Sequence, residues 1–345
     1  MGLNYGRASV VVFDPVNVNL RTTQYALHQI GFREITCLTA LSEVRRRIND
    51  NPPELLLCEA TAGDSEVLQF VRDVRAGEVG HNPFIAMLLT SWARDGGALK
   101  QAISSGADDV VIRPFSTSFL DDRVRTLVRA RKPFIVTSDY IGPDRRRDPA
   151  RESGGVEPIN APNLLRSVVE GDGHDVEQDQ RWIVEAREAV DSERLRRLAM
   201  RIVVGVEAAV REMDRGARPQ IDAGDFGRAA KELRLRLARM RCGEASQIAQ
   251  ALCEITTKLT EPEGFNKANL GLAKELAQGA YAAYAGGDQI ERSAEEIERT
   301  VQALRKRMAM VAAQSVAPSD TAPGGEGGAE DGGAEGSAEL KRAAG

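Results

Sequence analysis

The chain of 345 residues has little of what many function classes need. Its three histidines, His28, His81 and His174, are far apart in sequence, and no catalytic or metal-binding constellation forms around any of them. The four cysteines, Cys37, Cys58, Cys242 and Cys253, lack metal-ligand spacing and read as small buried hydrophobes in a reducing compartment. No run of 18 or more apolar residues exists, so no bilayer span is expected. The N-terminus has no basic region followed by an apolar stretch, which points to the cytoplasm rather than to secretion. An excess of positive charge is missing too. Residues 1–131 are net 0 and residues 176–315 are net +1, far from what phosphate neutralisation requires, so nucleic acid is not an expected partner. The overall charge of -5 comes from residues 132–175 and 316–345, which carry -6 between them.

What is present is a hydrophobic fraction of 42%, enough for a real core, arranged in two different patterns. Residues 8–131 alternate short apolar runs, at 9–13, 35–38, 55–58, 84–89 and 110–112, with amphipathic stretches such as Leu41, Val44 and Ile48, or Val67, Leu68, Val71 and Val74. Five continuous apolar strands separated by helices predict a doubly wound α/β domain with a parallel sheet covered on both faces. In such sheets the working site lies at the carboxyl ends of the strands.

Residues 132–175 change character, with Pro133, Pro143, Pro149, Pro158 and Pro162 and the cluster Arg145, Arg146 and Arg147. They read as a solvated, mobile linker with a short strand near Phe134 to Thr137 packing back on the first domain. Residues 176–315 are helical almost throughout. Phe226, Ala230, Leu233, Leu237 and Met240 form a heptad-like stripe, as do Leu195, Leu198, Ile202, Val206, Ala209 and Met213, and Ile248, Leu252, Ile255 and Leu259. The longest stripe runs from Ile290 through Ala294, Ile297, Val301, Leu304 and Met308 to Val311. An all-α bundle of about five helices is expected, the last stripe serving either the bundle or a homodimer seam. Residues 316–345, rich in Gly, Ala, Glu and Ser, are expected to be disordered.

The run Ala102, Ile103, Ser104, Ser105, Gly106, Ala107, Asp108, Asp109, Val110, Val111, Ile112, Arg113, Pro114, Phe115 resembles the segment from the fourth helix through the fifth strand to the X-Pro loop of the receiver domains of bacterial two-component response regulators. The Phe13-Asp14-Pro15 corner, the strand ending at Glu59 and the strand end at Thr90-Ser91 fall in the matching places, and the resemblance covers residues 8–131. It implies a chemotaxis-type, flavodoxin-like strand order. It also implies a phosphorylation site built from two acids after the first strand, an aspartate after the third, a hydroxyl after the fourth and a lysine after the fifth. This chain keeps Asp14 and Thr90 but has Pro15 at the second acid, Glu59 at the phosphorylated aspartate and Arg113 at the lysine. Val110 stands at the strand position where the family commonly has a switch aromatic.

Each replacement works against the same reaction. A Mg²⁺ ion would be left with Asp14, Glu59 and a backbone carbonyl near Thr61, too few strong ligands for a cation that dehydrates reluctantly. Glu59 moves the nucleophilic oxygen outward by one methylene, and Arg113 is a wide planar fork in place of a point charge. No catalytic residue, metal or other cofactor is therefore assigned. Two readings of Glu59 and Arg113 stay open: an anionic Glu59 reaching Arg113 and Thr90 as a phosphoaspartate would, or an ordinary ion pair of little energetic weight.

The favoured expectation is a divergent, phosphorylation-independent receiver fused to a helical interaction domain. It would act as an adaptor in a two-component (phosphorelay) pathway by binding partners rather than by turnover. Candidate partners are another signalling protein, such as a histidine kinase or a response regulator, or a second copy of the chain. The face of the fourth helix, fifth strand and fifth helix, with Ala98, Ile103, Val110, Phe119 and Val124, is the candidate docking surface that the resemblance implies. A conventional phospho-accepting response regulator and a DNA-binding transcriptional regulator are the alternatives, the second weakened by the absence of a basic recognition helix.

Overall fold

The computed structural model describes residues 3–60, 65–146, 156–171, 175–217, 219 and 221–285. Five strands, β1 (Ser9–Phe13), β2 (Glu34–Leu38), β3 (Leu55–Glu59), β4 (Ala86–Ser91) and β5 (Asp109–Ile112), form a parallel sheet in the order β2-β1-β3-β4-β5. Parallel neighbours need crossover connections, and the amphipathic stretches supply them as α1 (Asn17–Ile30), α2 (Leu41–Asp50), α3 (Ser65–Arg75), α4 (Gly96–Ser104) and α5 (Thr117–Ala130). Because successive strand residues point to opposite faces, Val11, Leu56 and Cys58 pack with α2 and α3, while Val10, Val12, Leu55 and Leu57 pack with α1 and α5. Every residue of β3 and β4 is buried, which is why both read as unbroken apolar runs.

The fourth strand starts two residues later than its apolar run suggests. Phe84 and Ile85 are buried, but their carbonyls accept side-chain hydrogen bonds from Arg131 and Arg75 instead of joining the ladder.

Residues 132–175 are more than a linker. Following α5, β6 (Phe134–Val136) and β7 (Ile141–Pro143) make an antiparallel hairpin, and the helix α6 (Leu164–Glu170) buries Leu165, Val168 and Val169 against α5 and the 3₁₀ turn Tyr5–Arg7. Asn163 ties two helix ends together: its Nδ2 donates to Leu127 O at the end of α5 at 2.8 Å, and its Oδ1 accepts from Arg166 N in the first turn of α6. The arginine cluster expected to be solvated is partly anchored. Arg145 donates to Ala107 O and Arg146 pairs with Asp144, whereas Arg147 lies outside the described residues.

Four helices follow among the described residues: α7 (Val176–Asp214), α8 (Ala223–Arg239), α9 (Gly243–Lys258) and α10 (Lys267–Ala285). Each packs on the next and α10 returns to α7, closing a ring whose short connections make neighbours antiparallel. The stripes anticipated on three of these helices form its core, with Leu195, Leu198, Ile202, Val206, Phe226, Ala230, Leu233, Leu237, Leu252 and Leu259 all buried. The fourth helix of this ring is α10, and the stripe from Ile290 to Val311, together with the acidic tail, lies outside the described residues. The first part of α7 also packs outside the ring, where Ile183, Ala186 and Val190 meet Phe84, Phe134, Val136 and Ile141 in a core that joins hairpin and helices. No helix among the described residues is long and apolar enough to cross a membrane.

Candidate functional site

Four neighbouring strands end in one buried polar cluster at the carboxyl edge of the sheet, where open α/β sheets place their sites. Asp14 follows β1, Glu59 ends β3, Thr90 lies in β4 directly opposite Glu59 in the register, and Arg113 follows β5. The Arg113 guanidinium fills the space between them. Its Nε donates to Glu59 Oε2 at 2.7 Å, and its Nη2 donates to Asp14 Oδ2 at 3.2 Å, Thr90 Oγ1 at 3.3 Å and Thr23 Oγ1 at 2.9 Å. Thr90 Oγ1 in turn donates to Glu59 Oε2 at 2.6 Å. The group also lies over the Phe115 ring, 5.0 Å from its centroid, and the peptide bond Arg113-Pro114 is cis.

The Arg113 side chain is 5% exposed and that of Glu59 4%, so this is a desolvated cluster. Two carboxylates share one guanidinium, and Glu59 Oε1 is buried without a hydrogen-bond partner. Burial accordingly pushes the Glu59 carboxyl above its ordinary range, and the opposing hydrogen bonds from Thr90 and Arg113 do not offset it.

The residues present do not fit a Mg²⁺ ion. Asp14 Oδ1 is engaged by the Val16 amide and Oδ2 by Arg113, Pro15 is exposed and offers no carboxylate, and the guanidinium holds the position between the two acids. A hexacoordinate cation needing several oxygens has only Glu59 Oε1 left among these side chains. Among the described residues there is no grouping of three or more His, Cys, Asp or Glu suited to a metal.

Thr23 also belongs to the cluster, although no motif in the sequence singles it out. It is fully buried on α1 between Leu20 and Ala26, and a hydroxyl inside an apolar helix stripe is the available signal. Of the proposed docking face, Ile103 and Phe119 are exposed at 37% and 38%, joined by Ile112 at 39%, whereas Ala98 and Val110 are half-buried. Val124 does not belong there. It is fully buried beneath α5 with Leu120 and Val128, because the helix turns that side to the sheet.

A second buried charge cluster, which no sequence pattern announces, lies at the opposite end of the sheet. Asp108 Oδ2 accepts from Arg75 Nη2 at 2.9 Å, and its Oδ1 accepts from Arg131 Nε at 2.8 Å. Both guanidiniums face the Phe134 ring, at 4.9 and 5.3 Å from its centroid. Although burial opposes ionisation of Asp108, Arg131 and Arg75 hold its carboxyl below the usual range, while burial lowers Arg75 to about 10. Remaining donors of Arg75 reach the carbonyls of Gly106, Pro83 and Ile85. This cluster clamps the β6–β7 hairpin to the sheet.

No family model and no curated protein matches the sequence. Among solved structures, the orphan response regulator HP1043 of H. pylori is 20% identical over 35% of this chain and 96% of its own, with a TM-score of 0.31. The signal receiver domain of a response regulator from Bermanella marisrubri is 21% identical over 35% of this chain and 98% of its own, with a TM-score of 0.32. The receiver domain of NarL from Mycobacterium tuberculosis is 18% identical over 36% and 98%, also at 0.32. These matches concern about the first third of the chain.

Proposed function

We propose that this chain is a two-component signalling protein of the response-regulator type whose receiver domain works without phosphorylation, as an adaptor that binds other signalling proteins. The observation that supports this is the Arg113 guanidinium bonded at once to Asp14, Glu59, Thr90 and Thr23. A phosphoryl-transfer site must admit a metal and a phosphodonor and align an attacking oxygen within about 1 Å. Here the space between the acids is filled by a side chain that the protein carries itself. The contacts from hydroxyl and cation that a phosphoryl group would create on arrival are already made to Glu59 by Thr90 and Arg113.

In this reading the domain is held in one state and recognition falls to its surface. Ile103, Ile112 and Phe119 offer apolar area beside the ion pair of Arg123 with Asp109, a mixture that suits a protein partner. The test is incubation of the full chain with Mg²⁺ and a small-molecule phosphodonor, followed by intact-mass analysis. The expected result is no mass gain at Asp14 or Glu59; hydroxylamine-labile phosphate on either residue would overturn the reading in favour of a conventional phospho-acceptor.

A further inference from the structure

A polar cleft of about 180 Å³ opens where the receiver, the hairpin and the helical ring meet. Arg72 of α3 and Tyr140 of the hairpin line one side, and Arg194 of α7 with Glu232 and Arg236 of α8 line the other. Its acids are mostly engaged. Glu232 accepts from Arg194 Nε at 2.7 Å, from Arg194 Nη2 at 2.8 Å and from Arg236 Nε at 3.1 Å. Asp139 pairs with Arg201, and Asp73 accepts from Arg45 and Gln69. Glu78 remains, exposed at the margin.

The donors are not all engaged. The Arg236 side chain is 1% exposed, with Nε on Glu232 and Nη1 on Asp191, yet its Nη2 is buried with no hydrogen-bond partner. Arg72, exposed at the rim, gives its Nε to Gln69. A buried guanidinium nitrogen without an acceptor is a costly arrangement that a polar ligand or water relieves. Guanidinium forks favour tetrahedral oxyanions in particular. The volume is well below the roughly 300 Å³ where pockets for drug-sized ligands begin.

We propose that this cleft is a binding site for a small phosphate-bearing anion, inorganic phosphate or a compact monoester, held by Arg72 from the rim and by Arg236 once a small side-chain shift turns its buried Nη2 to the cleft. The ligand would touch α3 and α8 together, and so would brace the receiver against the helical ring independently of the Asp14–Arg113 cluster.

The full chain should be titrated with inorganic phosphate at constant ionic strength, with sodium chloride as the control, and read by calorimetry and by thermal unfolding. Saturable one-site binding with a rise in Tm is expected. Arg72→Gln, at an exposed position, should weaken it at least about tenfold, and so should Arg236→Lys, which keeps the charge but loses the fork. Absence of saturable binding at millimolar phosphate would mean that the cleft holds only water. Binding undiminished in Arg72→Gln would place the phosphate elsewhere. Either result overturns the proposal, even if Arg236→Lys fails to fold.

Discussion

Arg113 Nε donates to Glu59 Oε2 at 2.7 Å across the carboxyl edge of the sheet, joining the loop after β5 to the end of β3 inside a site closed to solvent. Removing the guanidinium would leave Asp14 and Glu59 buried and unpaired, a loss of about 3–5 kcal/mol for a desolvated pair. Arg113→Ala should show that loss in urea unfolding. Replacing both partners, as in Arg113→Met with Glu59→Leu, should recover much of it, because no orphaned charge remains.

Stability should depend on pH through Glu59. Its carboxyl is raised by burial in the folded chain, so between the ordinary glutamate range and that raised value the folded state holds a proton which the unfolded chain has released. The stabilisation associated with the protonated group is present at low pH and declines as pH rises through that window. Unfolding free energies measured at steps from pH 4 to pH 7 should fall less steeply in Glu59→Gln than in the parent.

Asp108 is the hub at the other end of the sheet. Asp108→Asn removes the negative charge between two buried guanidiniums and should destabilise by about 3–5 kcal/mol. Hydrogen exchange should show the β6–β7 hairpin opening earlier in this variant, since Arg75 and Arg131 hold the ring of Phe134.

Gly106 has φ +101°, and a Cβ there would stand 2.6 Å from Ile141 O and 3.0 Å from Arg75 Cγ. Gly106→Ala therefore combines strain at positive φ with displacement of β7. A loss of at least about 1–3 kcal/mol is expected in thermal or urea unfolding, larger than for Gly96→Ala, where nothing lies within 4 Å.

The helix α6 contributes apolar surface to the core between the parallel sheet, α1 and α5. Leu165→Ala should destabilise by about 2–5 kcal/mol, the range for truncating a buried leucine, in the unfolding transition of the α/β domain. A solvated linker would show no such effect, so urea unfolding of this variant distinguishes the two descriptions.

The sheet was legible because burial on both faces demands unbroken apolar runs, and β1 begins and ends where its run does. The cluster of Asp14, Glu59, Thr90 and Arg113 was legible because strand ends of one sheet converge. Less could be read where a charged residue is buried by partners distant in sequence. Arg75 lies 33 positions from Asp108 and 31 from Gly106, and nothing local marks it as interior. The segment around α6 was misleading for a related reason: its prolines and glycines signal turns, while a seven-residue helix with four apolar residues is too short to show a period.

The helix α7 spans 39 residues, about 58 Å at 1.5 Å per residue, and belongs to two cores. Ile183 and Val190 are buried with the hairpin, and Leu198 and Ile202 within the helical ring. The chain is thus a poor subject for exchange of parts at residue 131. A foreign α/β domain joined there would have to bring its own counterparts of Asp108 and Gly106 to seat the hairpin, and without them α7 would carry bare apolar surface into solvent. Inheritance of this α/β domain together with its helices, as one piece, is what such shared packing favours.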